Sequence, residues 1–397
     1  MNADDAEASR VATRKWPPGR PRILATDAWL ANAGDAAIAL ALDRMLRELA
    51  PTAAVLHAAY QHDRIGPRLP ELACVPPLEG LLGTPWAPPA AGWEDRGREL
   101  VDDADLVICQ GGGFLVEAYE PRARIVALAE VVRGGKPLAL VGVTVDRFTR
   151  ASSRADLHTM FRGARLTVVR DPASLAHAAD CGAADAVLGT DLALGLFADA
   201  PRARDREGIG VVVTDHHADA TRRPRQAEVA AVVLREVVDV AAGRPVTVWS
   251  TVQGEPDVAR EDDAVVARDA IAALPKARRD AVATESGYVT PARAVELAAS
   301  CDALITMRMH PGLFAACAGT PFALVLGGQR AGVFAGSTLG TRIVAPHDDR
   351  AIRAAVRAVL AEPAPAPTWE ALAPLRDRLE MTRARVGDLV QQVAAST

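Results

Sequence analysis

Two residues one position apart, Arg308 and His310, are the pair in this sequence best suited to chemistry. Arginine presents a planar fork of donors that fits carboxylate or phosphate. Histidine exchanges a proton near neutral pH. The apolar run at residues 303–307 (ALITM) predicts a buried strand ending just before them. Pro311 opens an Ala-rich stretch that predicts a helix, closed by Gly319 before Pro321 and a second apolar run. Strand, cationic tip, helix and strand make one βα unit of a parallel sheet, and such sheets bind ligands at the carboxyl ends of their strands. A helix starting at Pro311 adds backbone N–H groups and a positive dipole end. The same two residues also fit a buried structural arginine and a helix-capping histidine.

Other strand ends carry polar residues in the same way. Residues 22–28 predict a strand, and apolar spacing through Ile38, Leu42, Met45, Leu46 and Leu49 predicts a helix after it. Asn32, Gly34 and Asp35 fall in the turn between them; Asn32 or Asp35 suits a helix N-cap, and Gly34 allows close approach of backbone to a ligand. An ordinary capped Asn-Gly turn has the same residues. Residues 106–109 predict a strand ending in Gln110, Gly111, Gly112 and Gly113, with Glu117 just beyond. This is not the dinucleotide-binding G-x-G-x-x-G pattern. Residues 166–169 predict a strand ending in Arg170, and Gln329 and Arg330 follow the run that starts at Pro321. His216 and His217 invite a metal reading, but neighbours on a strand point to opposite faces, so no metal site is expected.

At 397 residues the chain predicts two domains. The rhythm of strand, polar tip and helix runs through both halves and predicts a doubly wound α/β fold in each. The charged stretch at residues 201–207 is the expected linker, giving a disordered arm at 1–20, Rossmann-like domains at 21–203 and 204–362, and a C-terminal segment at 363–397 whose helix packs back on the first domain. Residues 65–93, rich in Pro and Gly, predict a long irregular loop in which Trp86 and Trp93 suit sugar stacking or surface packing. A net charge of −5 argues against general nucleic-acid binding. The 5 cysteines are scattered without pairing motifs, which fits core residues in a reducing compartment. The start is polar, and no apolar run approaches the ~18 residues that span a bilayer; a cytoplasmic protein without a transmembrane segment is expected.

Four motifs in order, NAGDAAI, DLVICQGGGF, VVRDPAS and MRMHPGLFAACAGTPFALV, resemble the polysaccharide pyruvyl transferase family, over residues 22–340. The resemblance implies a fold like that of the GT-B glycosyltransferases, with two Rossmann-like domains facing a cleft, the first on the acceptor side and the second on the donor side. It implies transfer of pyruvate from phosphoenolpyruvate onto two hydroxyls of a sugar in a glycan, glycolipid or small glycoside, forming a ketal and releasing phosphate. Phosphoenolpyruvate is then a substrate, and no cofactor or metal is implied. The family's Arg-x-His falls on Arg308 and His310, its middle arginine on Arg170, and its Asn-x-Gly-Asp start on Asn32, Gly34 and Asp35. After Leu326 many members carry a Tyr and a Lys, whereas this chain reads GGQRAG, a departure that bears on donor binding. His310, Arg308 and Asp35 are the expected catalytic set. Arg170, Asn32, Gly34, Gly111, Gly112, Gly113, Glu117, Gln329 and Arg330 are the expected substrate contacts. The chemistry asks for such residues: two anionic groups to hold, an acid for C3, a base for the sugar, supplied by a carboxylate such as Asp35 or Glu117, and a departing phosphate to stabilise. A nucleotide-sugar glycosyltransferase and a non-catalytic sugar- or anion-binding protein are the competing readings.

Overall fold

A computed structural model of the protein describes residues 16–197, 205–215, 223–253, 262–285, 287–327, 329–346, 348–361 and 369–395. The chain forms two compact units, one of residues 16–30, Asp35–Leu196 and 377–395, the other of Ala31–Gly34 and Phe197–Arg376. The boundary, between Leu196 and Phe197, thus falls a few residues before the linker expected at 201–207, part of which lies outside the described residues along with most of the N-terminal arm, His216, His217 and all of residues 363–368. No described helix is long and apolar enough to cross a membrane.

The first unit is a parallel sheet of seven strands. It begins with β1 (Arg22–Trp29), α1 (Ala33–Leu49), β2 (Ala54–Tyr60), β3 (Cys74–Val75), α2 (Leu78–Leu82), α3 (Arg96–Asp102) and β4 (Leu106–Leu115). It continues with α4 (Arg122–Arg133), β5 (Leu138–Val145), α5 (Ala151–Gly163), β6 (Ala164–Val169), α6 (Pro172–Asp180), β7 (Val187–Leu188) and α7 (Ala193–Leu196). The strand order is β3-β2-β1-β4-β5-β6-β7, so the order reverses between β1 and β4. Every residue of β5, LALVGVTV, is buried, as a strand covered by helices on both faces requires.

The second unit holds β8 (Ile209–Val212), α8 (Arg223–Val240), β9 (Val246–Val248), α9 (Asp263–Ala272), α10 (Lys276–Arg279), β10 (Val282–Thr284), α11 (Pro291–Ser300) and β11 (Ala303–Thr306). After these come α12 (Met309–Ala318), β12 (Phe322–Val325), β13 (Ile343–Val344) and α13 (Asp349–Ala361). Its six strands are parallel in the order β10-β9-β8-β11-β12-β13, reversing between β8 and β11. The last helix, α14 (Ala373–Ala394), lies mostly in the first unit. Both units are doubly wound α/β structures, the class read from the sequence.

Two expectations change, and one helix was not anticipated. Residues 65–93 are not an irregular loop: they contain β3 and α2, and Leu78, Leu81 and Trp93 are buried in the core. Trp93 is therefore a core residue, whereas Trp86 is exposed with the Arg122 guanidinium 3.7 Å over its ring. The helix α5 had no sequence expectation, because only Leu157, Met160 and Phe161 mark its buried face. The strand β4 does not stop at Cys109 but runs through Gly111, Gly112 and Gly113. A Cβ on Gly111 would lie 2.6 Å from the carbonyl oxygen of Gly142. Gly112, at φ +143°, would place its Cβ against the Phe114 ring. These two glycines serve close packing of β4 against β5 and its own side chains.

The helix that follows Asn32 is tied to the sheet by charge. Asp43 on α1 lies 3.1 Å from His57 Nε2 on β2 and accepts from Arg47 at 3.1 Å. Burial pushes the Asp43 carboxyl up, but the bonds from His57 and Arg47 outweigh it and leave its pKa below the ordinary value. A carboxyl lowered on folding adds stability above its unfolded range and loses it as pH falls through the folded value. Asp43→Asn should therefore flatten the loss of denaturant stability between neutral pH and the acid side of that range; an unchanged slope would show that this network does not carry acid sensitivity. Gly111→Ala should lower the denaturant midpoint by roughly 1–3 kcal/mol of stability, as overpacking does, with an unchanged m-value.

Candidate functional site

The carboxyl end of β11 is shaped by a turn. Thr306 Oγ1 accepts from the Arg308 N–H at 3.0 Å and donates to the Arg308 carbonyl at 2.9 Å. Arg308 then stands at the N-cap position in extended conformation, and α12 begins at Met309 rather than at Pro311. His310 is accordingly a first-turn residue. Proline is tolerated within that turn because its missing N–H has no intrahelical acceptor there. All ten residues of α12 are buried, so the helix start that carries His310 is fixed by packing on β11, β12 and α11.

Arg308 is not a bare cation. Its Nε lies 3.1 and 3.2 Å from the two carboxylate oxygens of Asp263, and its Nη2 donates to Asp263 Oδ1 at 2.6 Å. Asp263, at the start of α9, is 1% exposed. Its Oδ2 also accepts from the Thr251 N–H and hydroxyl, both at 3.3 Å, and from the Val252 N–H at 3.2 Å. The segment after β9 thus holds the carboxylate that holds the arginine.

The same segment receives the Asn-x-Gly motif. Asn32 pairs with Val252 in an antiparallel bridge. The Ala33 N–H donates to the Thr251 carbonyl at 2.8 Å, and the Gln253 N–H to the Ala31 carbonyl at 3.0 Å. Asn32 Oδ1 accepts from the Gly34 N–H at 2.9 Å, which makes Asn32 the cap of α1. Gly34 lies flat against the His310 imidazole: a Cβ there would sit 1.9 Å from Nδ1 and 2.3 Å from Cγ. Residues some 280 positions apart in sequence therefore form one constellation within the second unit, comprising Asn32, Gly34, Thr251, Val252, Asp263, Arg308 and His310. Asp35 follows Gly34 in the first turn of α1 and is buried.

The other expected site residues divide between the two units. Arg170 is 2% exposed in the first unit; its Nη1 donates to Asp191 at 2.7 Å and its Nε to the Thr144 hydroxyl at 2.7 Å. This guanidinium is part of an internal ion pair, and a Cβ built on Gly113 would lie 3.6 Å from its Nη2. Glu117 accepts from the Thr149 N–H and hydroxyl and from the Arg150 N–H at 2.9, 2.6 and 2.8 Å. Burial pushes its carboxyl up, but those bonds prevail and hold its pKa below the ordinary value, which suits a structural tie better than a base. Gln329 and Arg330 open a 3₁₀ turn, Gln329–Phe334. Asp263 was missed from sequence because it lies 45 residues from its partner. Among the described residues no group of three or more His, Cys, Asp or Glu is placed to hold a metal ion. Cys301 and Cys317 lie buried, and burial pushes both thiols up to about 12, so they are core residues and not nucleophiles.

The profile of the polysaccharide pyruvyl transferase family matches residues 32–327. The chain belongs to that family. The match begins at Asn32 and takes in every residue of the constellation just described. No curated protein sequence matches the chain. Among solved structures, a putative UDP-N-acetylglucosamine 2-epimerase from Listeria monocytogenes is similar at 10% identity and TM-score 0.59, covering 96% of this chain and 98% of that one. Anabaena HepE, solved with UDP and glucose, gives 12% identity and TM-score 0.58 over 94% and 100% of the two chains. A trehalose 6-phosphate synthase from Burkholderia multivorans gives 12% and 0.57 over 95% and 99%. At these identities the likeness concerns the fold alone, and it places this pyruvyl transferase family member in the GT-B-like class expected from its sequence.

The fit of His310 on Gly34 is open to a direct test. Gly34→Ala cannot keep both the helix start and the ring in place, so a crystal structure of the variant should show His310 in another rotamer. An unmoved ring would mean that the backbone gives way instead, and that the glycine does not fix the histidine.

Proposed function

We propose that this protein transfers pyruvate from phosphoenolpyruvate to two hydroxyls of a sugar, forming a ketal and releasing phosphate. Family membership supports the transfer of pyruvate to a glycan. The observation that carries the assignment of roles is the bidentate hold of Asp263 on Arg308, two residues before a histidine whose ring rests on Gly34.

In this reading Arg308 and the first turn of α12 receive the donor's anionic groups. Asp263 fixes the plane of the guanidinium so that its fork meets the donor in one orientation. His310 delivers a proton to C3 of the enol, which makes C2 electrophilic. A sugar hydroxyl adds to C2, a second closes the ketal, and the C2–O bond to phosphate breaks. Of the two hydroxyl protons released, one replaces the proton His310 gave to C3 and the other leaves on phosphate, so the reaction balances with no oxidant or reductant. Asp35, in the turn that carries Gly34, is the carboxylate proposed to take the sugar's proton. The acceptor is a sugar of a glycan, glycolipid or small glycoside, and phosphoenolpyruvate enters as a substrate.

Incubation with phosphoenolpyruvate and a panel of glycan and glycolipid acceptors should release phosphate and add the mass of a pyruvyl ketal to one acceptor. Release that requires a nucleotide sugar instead would replace this reading by glycosyl transfer. His310→Ala should lower turnover by roughly 10²- to 10⁴-fold at saturating donor, the usual contribution of a general acid. Arg308→Lys should chiefly raise the donor KM, by about tenfold or more, since lysine keeps the charge and loses the fork. In heavy water the product methyl group should carry deuterium with wild type; wild-type turnover in His310→Ala would assign the proton to another group.

A further inference from the structure

Between α2 and α3 the first unit carries a stretch without charge. From Gly80 to Trp93 the chain reads GLLGTPWAPPAAGW. Large apolar side chains mostly turn inward, as Leu81 and Trp93 do here. Pro85, Trp86, Pro88, Pro89 and Ala91 do not, and all five are exposed. Among the described residues Trp86 is the one large hydrophobic side chain left exposed, at 52%.

The exposure is held in place by the backbone. The Thr84 N–H donates to the Ala87 carbonyl at 2.8 Å, and the Ala87 N–H to the Thr84 carbonyl at 3.2 Å. This closes a four-residue turn with Pro85 second, the position its fixed φ suits. Thr84 Oγ1 accepts from the N–H groups of Trp86 and Ala87 at 3.3 and 3.1 Å. The Ala90 N–H donates to the Gly80 carbonyl at 2.8 Å, and prolines have no N–H to satisfy. Each N–H from Thr84 to Ala90 therefore has an acceptor, and the turn can leave water without stranding a donor.

A cation lies against the indole. The Arg122 guanidinium, from the first turn of α4, sits 3.7 Å from the centre of the Trp86 ring. Its Nε is buried without a hydrogen-bond partner. Among the described residues no carboxylate pairs with it; Glu120, two positions earlier, faces Arg150 at 3.7 Å instead. The loop thus combines an amphipathic ring, an uncharged surround and a charge that lacks a counter-ion.

We propose that this loop is a membrane-contact site, with Trp86 and its prolines entering the headgroup layer of a bilayer and Arg122 pairing with a lipid phosphate. Tryptophan settles at that boundary because its ring is apolar and its N–H polar, and a guanidinium fits phosphate. A sugar is a poorer fit: it needs directed hydrogen bonds as well as a ring, Thr84 Oγ1 is engaged, and Arg122 covers one face of the indole. A protein partner needs roughly 20–30 residues a side, whereas the loop offers one large side chain among small ones. One ring and one cation make a reversible, peripheral contact and not an anchor. That the contact brings the enzyme to a lipid-borne acceptor rests on the reading under Proposed function; that the loop meets lipid does not.

Co-sedimentation of the whole protein with vesicles of phosphatidylcholine and phosphatidylglycerol, free of donor and acceptor, tests the site. Wild type should partition onto the vesicles, and Trp86→Ala should do so about tenfold less, as loss of a large apolar contact implies. Arg122→Gln should weaken partition about fivefold, by an amount that shrinks as salt is raised. Vesicles with acyl chains brominated near the headgroups should quench the fluorescence of wild type and not of Trp86→Phe. No partition by wild type, equal partition by wild type and Trp86→Ala, or unchanged quenching in Trp86→Phe overturns the proposal. Thermal unfolding checks that the variants fold; should Trp86→Ala fail, the quenching of Trp86→Phe decides. Pyruvate transfer to a water-soluble glycoside should be the same in wild type and Trp86→Ala. Vesicle binding with no pyruvate transfer to any acceptor would sink the reading under Proposed function and leave this site standing, and transfer without vesicle binding would sink this site alone.

Discussion

The arrangement around Arg308 depends on one buried carboxylate. Asp263 accepts from the backbone of Thr251 and Val252 and from the Thr251 hydroxyl, and it grips Arg308 through two nitrogens. Breaking a buried pair by removing one partner costs about 3–5 kcal/mol, because the other charge is left without compensation. Such a carboxylate therefore acts as a fixed point. The segment it orders also receives Ala31, Asn32 and Ala33 through backbone hydrogen bonds. The arginine, the turn that carries Gly34 and the end of β9 are in this way set relative to one another by a single anion.

This hub explains why two motifs far apart in sequence belong together. The Asn-x-Gly turn looks, by itself, like an ordinary capped helix start. In the folded chain its glycine is required because an imidazole occupies the space where a side chain would be. The histidine in turn cannot shift along α12, whose ten residues are all buried. Precision at the ring comes from an empty Cβ position on one side and a packed helix on the other.

Much of the architecture was legible because apolar runs of parallel strands announce themselves, as LALVGVTV does. Polar tips after those runs located Arg308, His310, Asn32 and Gly34 at strand ends. What was not legible has physical causes. A strand may continue through glycines when a neighbouring backbone comes close, so QGGG reads as a loop although Gly111 packs on Gly142. Partners paired across the fold carry no shared spacing, so Asp263 could not be read from the chain. An arginine at a strand end has no visible counter-ion in sequence; Arg170 looks available there, and Asp191 occupies it in the fold.

The pairing of Arg308 with Asp263 also decides how an anion would be held. An isolated guanidinium attracts any anion from several directions. Paired with a carboxylate, it forms a unit close to neutral, and most of its long-range attraction is cancelled. What is left is directional: N–H groups whose plane is fixed, beside the first turn of a helix with its dipole pointing the same way. Binding then depends on the shape of the anion more than on its charge. A donor that offers a carboxylate and a phosphate at set positions fits such a site, and a free phosphate fits it less well. In the proposed reaction a departing phosphate would meet fewer of those N–H groups than the donor it came from, so a neutralised arginine would favour turnover as well as selection.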